Sequence, residues 1–330
     1  MDKKINFKYR LLYQLSINSR ISQKALAKKL KVSPQLVRYW TNKLEKEKII
    51  QAYETQVDSA KFGLTDILVF MIFTTSDKKK QKKVTDYLIK SDNVTFIEKI
   101  PYGADLIIEY TVPNLSFFNK QHSTFLELFS QSTKVTEIFP VIVKHHLSKK
   151  YLDKKAKAEH SEILSGDRTP IILQENSKKV LSELCTNNTE TIIRIAEKTN
   201  LDPRTVIKTK KELEITKIIR RYTITINYDK LNIKGCIILI NFDYTTPKRI
   251  NKIISYLHYI PEITTVTKIL GKYQLMIRIE TVSDYMPIIY NLRDKFKFYE
   301  FTIYRIGNII KNTSIPISVL TEDGNHQDNL

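Results

Sequence analysis

Between Ser22 and Tyr53 the apolar positions fall into two successive helical patterns. Ala25, Leu26, Ala27 and Leu30 keep the three- and four-residue spacing of one helix face, and Ser22 stands where an N-cap belongs. Lys31-Val32 makes a brief turn. Ser33 then caps a second helix, and Pro34 fills its first position, where a missing N–H costs nothing. Leu36, Val37, Trp40 and Leu44 give that helix its apolar stripe. Gln35, Arg38, Tyr39, Asn42 and Lys43 are left on the opposite face, which holds donors, a cation and an aromatic but no acid. Gln51–Val57 alternates as a strand does, so the motif reads as a winged helix-turn-helix. A pair of helices from any all-α core with a solvated basic face shares the periodicity. The tight spacing, the Ser-Pro start and the missing acids favour a face that enters a DNA major groove. Side chains there reach base edges while Lys24, Lys28 and Lys29 hold phosphates.

The pattern is written twice. An offset of 169 residues, running without a gap from the first helix to about residue 108, pairs Leu12 with Leu181, Asn18 with Asn187 and Ala27 with Ala196. It continues through Pro34/Pro203, Val37/Val206, Leu44-Glu45/Leu213-Glu214, Ile49-Ile50/Ile218-Ile219, Tyr53/Tyr222, Phe73/Phe242 and Leu106/Leu275. A register this long predicts a tandem duplication. After each helical motif the periodicity runs strand, helix, strand, strand, helix, strand. The order predicts a four-stranded antiparallel sheet with both helices on one face. The fold class expected is therefore α+β: two copies of a winged helix-turn-helix followed by a ferredoxin-like βαββαβ domain. The sheet face left uncovered, judged from Ile67, Val69, Met71, Phe73, Ile237 and Leu239, is too apolar to stay wet and should pack on the sister copy. The boundaries expected are 1–60, 61–147, a linker at 148–176 with a helix over 152–164, 177–232, 233–311 and a loose polar tail at 312–330.

Charge sharpens this picture. The net charge is +19, and residues 1–60 carry 13 Lys and Arg against 5 Asp and Glu, while 177–232 carry 12 against 7. Compositional drift would spread the excess evenly, whereas its concentration on the two helical motifs points to a polyanion, double-stranded DNA. No apolar run reaches the roughly 20 residues of a membrane span, the first residues lack a signal-peptide core, and Cys185 and Cys236 have no metal-ligand spacing. A cytoplasmic protein without cofactor or metal is expected.

The residues Leu12, Leu15, Asn18, Arg20, Ala25-Leu26-Ala27, Val32-Ser33-Pro34, Val37, Leu44-Glu45, Ile49-Ile50, Tyr53, Val57-Asp58, Phe62-Gly63 and Tyr102-Gly103-Ala104-Asp105-Leu106 resemble the Lrp/AsnC (feast/famine) family of transcription regulators. Ala196, Leu201-Asp202-Pro203, Val206, Leu213-Glu214, Ile218-Ile219, Tyr222 and Gly271-Lys272-Tyr273-Gln274-Leu275 carry the resemblance in the second copy. The chain departs from the family at Trp40 and Thr209, where Arg is usual, and at Lys48 and Lys217, where Gly is usual. The resemblance implies a pseudo-dimer within one chain, open to further homo-oligomerisation, that regulates transcription. Its second reader would use Arg204, Lys208 and Lys211, with Arg220 and Arg221 on the wing. It also implies an effector such as an amino acid near Tyr102, Gly103, Asp105, Gly271, Tyr273 and Gln274.

Two rivals share these residues. Siroheme decarboxylases look like Lrp/AsnC proteins, and the side chains suited to such chemistry are His145, His146, Tyr102 and Arg278. A non-specific, nucleoid-type DNA coater would need only the cations. With no HExxH, no paired cysteines and no nucleophile elbow, the expectation from sequence is a regulator that is not an enzyme.

Overall fold

The computed structural model describes residues 3–156, 161–242 and 246–321, with side chains from Phe7 onward. Helices α1 (Lys3–Ile17), α2 (Gln23–Leu30) and α3 (Pro34–Lys46) lead into β1 (Ile50–Val57). There follow β2 (Thr65–Phe73), α4 (Lys78–Lys90), β3 (Val94–Lys99), β4 (Leu106–Val112), α5 (Leu115–Phe129) and β5 (Thr133–Leu147). A joining segment carries β6 (Ser161–Leu164). The order then recurs as α6 (Glu175–Thr186), α7 (Ile192–Thr199), α8 (Pro203–Ile215), β7 (Ile219–Ile226) and β8 (Lys234–Asn241). It ends with α9 (Pro247–Leu257), β9 (Ile263–Ile269), β10 (Leu275–Thr281), α10 (Met286–Phe296), β11 (Glu300–Arg305), β12 (Ile309–Asn312) and α11 (Ser318–Thr321).

The backbone repeats at the sequence offset in its least common conformations. Left-handed residues occur at Lys31 and Asn200, at Lys48 and Lys217, and at Gly63 and Asn232. Lys48 and Lys217 stand where the family resemblance places glycine, and the positive φ of both shows why glycine suits that corner.

Two four-stranded sheets, ordered β5-β2-β4-β3 and β11-β8-β10-β9, join at both edges. The second half of β5 leaves β2 and pairs with β9 over Val141–His146. At the other edge β12, which continues the chain of β11, crosses to pair with β3. The two sheets are thus linked on both sides by chain that passes from one to the other, β5 on one side and the β11–β12 run on the other. Its inner faces press together aromatic on aromatic: Phe70 lies 4.7 Å from Tyr304 and 5.9 Å from Phe139, ring centre to ring centre.

The face-to-face packing matches expectation, but the residues chosen for it partly do not. Ile67, Val69 and Met71 turn outward under α4 and α5 with Val84, Leu88 and Phe125, and Phe73 packs there too. Leu68, Phe70, Ile107, Ile237, Leu239 and Met276 are the ones that face inward. Strand period gives each sheet two apolar faces, and sequence alone does not say which one meets the helices. The joining segment also differs from expectation. Instead of a helix over 152–164 it has a 3-10 turn at Lys150–Leu152 and the strand β6 on β5; residues 157–160 lie outside the described residues. The tail is not loose up to residue 321, since Ile315 and Leu320 are buried against α6 and Ser314 donates to the Thr55 carbonyl; residues 322–330 lie outside the described residues.

β1 and β7 form a separate antiparallel ribbon. Each strand is packed by the other half's first helix: α1 lies on β7 and α6 on β1. Among the described residues no helix is long and apolar enough to cross a membrane.

Candidate nucleic-acid interface and an interior polar cavity

The first reader is built locally. Ser22 Oγ accepts from the Ala25 N–H and Ser33 Oγ from the Leu36 N–H, each at 3.2 Å, so both helix starts are capped as the sequence requires. Val37 and Leu44 are buried, and Trp40 packs half-buried against Phe7 at 6.1 Å. That packing explains the missing family arginine: the position faces α1. Leu36, expected in the stripe, is 38% exposed. Gln35, Arg38, Tyr39 and Asn42 are exposed on the outer face of α3, with Lys24, Lys28 and Lys29 exposed on α2. Lys43 is half-buried, its ammonium 5.0 Å from the Trp40 ring centre and 3.8 Å from Glu47.

The corresponding helices of the second half, α7 and α8, are more mixed. Asp202 caps α8 by accepting from the Arg204 N–H at 2.8 Å, and Val206, Thr209 and Leu213 are buried. Arg204, Lys208 and Lys211 are exposed, but Lys208 has Glu212 3.9 Å away and Ile207 is 53% exposed between them. The wing arginines are a correction. Arg220 is ion-paired to buried Asp58, and Arg221 turns into the interior, where its Nε donates to Gln56 Oε1 at 2.6 Å. Both are only partly exposed. Side chains alternate along a ribbon, and the inward one of this pair is covered by the sheets below.

The loops expected to hold an effector do structural work. Asp105 accepts from the Phe73 N–H at 2.7 Å, and Gln274 does the same for Phe242 at 2.6 Å, so the two residues fill one role despite differing in charge. Gly103 and Gly271 both have positive φ, and a Cβ on Gly103 would meet the Tyr304 ring. Tyr273 is buried against Phe139 and shares a hydrogen bond with Thr302, whereas Tyr102 is 71% exposed. None of the six lines the interior cavity between the ribbon and the sheets.

A cavity of about 200 Å³ lies instead between the ribbon and the inner sheet faces. Glu54 and Gln56 reach it from β1, and Arg221, Thr223 and Thr225 from β7. Asp66, Glu109, Lys144, His146, Lys149, Arg278 and Glu280 line it from the sheets and the joining segment, with Leu68, Ile107, Ile237 and Met276. Lys144 bridges Asp66 at 2.9 Å and Glu109 at 2.6 Å. Arg278 holds Glu98 with both terminal nitrogens at 2.7 Å and Glu280 through Nε at 2.9 Å, while Lys149 meets Glu280 at 2.6 Å.

The pairings set the protonation states. Burial works against charge on Glu280, yet Lys149 and Arg278 keep its carboxyl far below the usual range. Burial lowers His146 well below a free imidazole, and Arg221, Lys144, Lys149 and Arg278 lower it further, so the ring is neutral. Burial pushes Glu54 up to about 7, partly offset by hydrogen bonds from Thr225 and Asn312. Burial brings Arg221 down to about 10.

Of the four side chains named for decarboxylase chemistry, His146 and Arg278 line the cavity together. His145 turns away to lie 5.3 Å from the His258 ring, and Tyr102 lies outside the cavity lining. Sequence reading missed Glu54, Gln56, Lys144, Lys149 and Glu280. The available signal was charge at inward strand positions, as in Leu275–Thr281 (LMIRIET), where Arg278 and Glu280 interrupt an apolar run.

Residues 6–51 match the family model described as winged helix-turn-helix DNA-binding. No curated protein matches the chain. Among solved structures, the siroheme decarboxylase NirDL is similar over 94% of this chain and 94% of its own, at 12% identity and a TM-score of 0.59. The same enzyme in complex with an iron-uroporphyrin III analogue covers 93% of both chains at 12% identity and a TM-score of 0.57. An AsnC family transcriptional regulator from Agrobacterium tumefaciens covers 43% of this chain and 95% of its own, at 16% identity and a TM-score of 0.39. The chain therefore has an α+β fold with a winged helix-turn-helix at its start, shared along its length with an enzyme. That likeness overturns the expectation of a non-enzyme drawn from the architecture, because in NirDL the same fold belongs to a decarboxylase.

Proposed function

We propose that the protein is a sequence-specific, DNA-binding transcription regulator whose two readers sit in one chain as a pseudo-dimer. The observation that carries this is the outer face of α3: Gln35, Arg38, Tyr39 and Asn42 are all exposed, with Lys24, Lys28 and Lys29 beside them. They lie within the segment that matches a winged helix-turn-helix DNA-binding model. Exposed amide and guanidinium groups on one helix face read bases, and flanking cations hold phosphates. α8 adds backbone affinity through Arg204, Lys208 and Lys211, weakened where Glu212 approaches Lys208. The operator is then an imperfect palindrome with half-sites about one helical turn apart.

Selection of bound fragments from random DNA at physiological salt tests this. A recurrent motif supports the regulator; retention of all sequences with a steep salt slope replaces it with a DNA coater.

A second reading, decarboxylation of a siroheme-like substrate, is favoured by the likeness to NirDL along the chain and by His146 and Arg278 facing one cavity. A drug-sized ligand usually fills about 300–1,000 Å³, so a tetrapyrrole requires the ribbon to lift from the present 200 Å³ cavity. Siroheme absorbance retained on the protein, with release of carbon dioxide, supports this reading; siroheme that passes through unbound removes it.

A further inference from the structure

The cations around the cavity differ in how closely a carboxylate meets them. Lys144, Lys149 and Arg278 are each ion-paired, whereas Arg221, among the described residues, has no carboxylate at ion-pair distance: Glu162 and Glu54 act on it from farther off, and its Nε donates to Gln56. Its side chain lines the cavity. A buried guanidinium costs free energy unless an anion meets it, and its planar fork matches the two oxygens of a carboxylate.

Gln56 fixes the neighbouring donor. Its Oε1 accepts from Arg221, so its amide nitrogen is the atom 3.2 Å from His146 Nδ1. Nδ1 must then accept, which places the proton of the neutral ring on Nε2. Arg221 and His146 are thus linked through one glutamine, which orders both as donors. Opposite them the lining includes aliphatic side chains, Leu68, Ile107, Ile237 and Met276.

We propose that this cavity binds a small carboxylic acid with a short apolar tail. The carboxylate is received by Arg221 and by His146 Nε2–H, and the tail lies on the inner sheet faces. An apolar cavity of about 150 Å³ holds benzene, so the 200 Å³ here takes about eight heavy atoms. Glu54, on the same ribbon face, is placed to meet an amino group if the acid carries one. The site also has a route to the readers. β1 begins four residues after α3 and β7 four residues after α8, and their inward side chains roof the cavity. Occupancy therefore sets the ribbon from which both readers hang; this last step rests on the regulator reading.

Calorimetry and thermal melting of the full chain with butanoate, 2-aminobutanoate and butanamide at pH 7.5 test the site. Butanoate is expected to bind and raise the melting temperature, and the isosteric amide to do neither. Arg221→Gln should weaken butanoate at least tenfold, and Arg221→Lys, which keeps the charge without the fork, should weaken it less. Tighter binding of 2-aminobutanoate than butanoate, abolished by Glu54→Gln, places the amino group on Glu54. Equal binding of acid and amide, unchanged affinity in a folded Arg221→Gln chain, or no response to either acid overturns the proposal. Should Arg221→Gln not fold, Arg221→Lys and the acid-amide comparison decide it alone. Acid binding by a chain that selects no DNA leaves the site standing and removes the regulator reading. If both stand, saturating butanoate should change affinity for the selected DNA at least threefold.

Discussion

Glu54 is the residue at which solvent, fold and protonation meet. Its carboxyl is raised to about 7, first by burial, against an ordinary value near 4.5. The folded chain therefore holds a proton that the unfolded chain has lost between those values. Stability attributable to this group falls as pH rises from about 4.5 to 7 and stays low above. Glu54→Gln should leave stability nearly unchanged at pH 4.5 and raise it at pH 8 by on the order of 2 kcal/mol. Urea unfolding of the two chains at both pH values checks this; an equal shift at the two would remove the assignment. Lys48 is a second such residue. It adopts φ 52° at the corner between α3 and β1, a conformation that disfavours a side chain by about 1 kcal/mol. Lys48→Gly should therefore stabilise the chain by about 0.5–1 kcal/mol, read from the urea midpoint.

At the scale of elements, α3 and α8 have the same frame and different faces. Both start with a side-chain cap and Pro at the first turn; α8 buries Val206, Thr209 and Leu213, and α3 buries Val37 and Leu44 with Trp40 half-buried between them. What differs is exposed chemistry: amides and Tyr39 on α3, Ile207 and a Lys208–Glu212 pair on α8. Arg38→Glu should weaken binding to the selected DNA at least tenfold and relax sequence preference. Arg204→Glu should weaken all sequences alike and reduce the salt slope. If Arg38→Glu left affinity intact while Arg204→Glu removed it, the roles would be reversed. The bulge in β5 acts at the same scale. Its pairing with β9 shifts register between Val141 and Val143. That shift turns Lys144 and His146 inward and leaves His145 beside His258.

At the scale of the whole molecule, the joined sheets share one inner hydrophobic cluster drawn from both halves. Phe70 is fully buried at the centre, touching Phe139 from its own half and Tyr304 from the other. Phe70→Ala should cost about 3–5 kcal/mol, as large aromatic deletions in cores do. Leu128→Ala, at an exposed position of α5, should change stability little. Unfolding in one cooperative step, followed by fluorescence and circular dichroism together, is expected of wild type.

The sequence by itself determined most of the helices and strands and the outward face of α3, though not β6 in place of a linker helix, nor β12 and α11, because helical and strand periods, caps and Pro positions act over a few residues. It did not determine which face of each sheet turned inward, since alternating strands such as Thr65–Phe73 are apolar on both sides. Nor did it show that Arg221 would leave the wing, or that β5 and β12 would each pair across the halves. Those outcomes depend on contacts between residues far apart in the chain. Only the packing of the ribbon on the joined sheets put Glu54, His146, Arg221 and Arg278 around one cavity, and burial there, with the charges of distant neighbours, set their protonation.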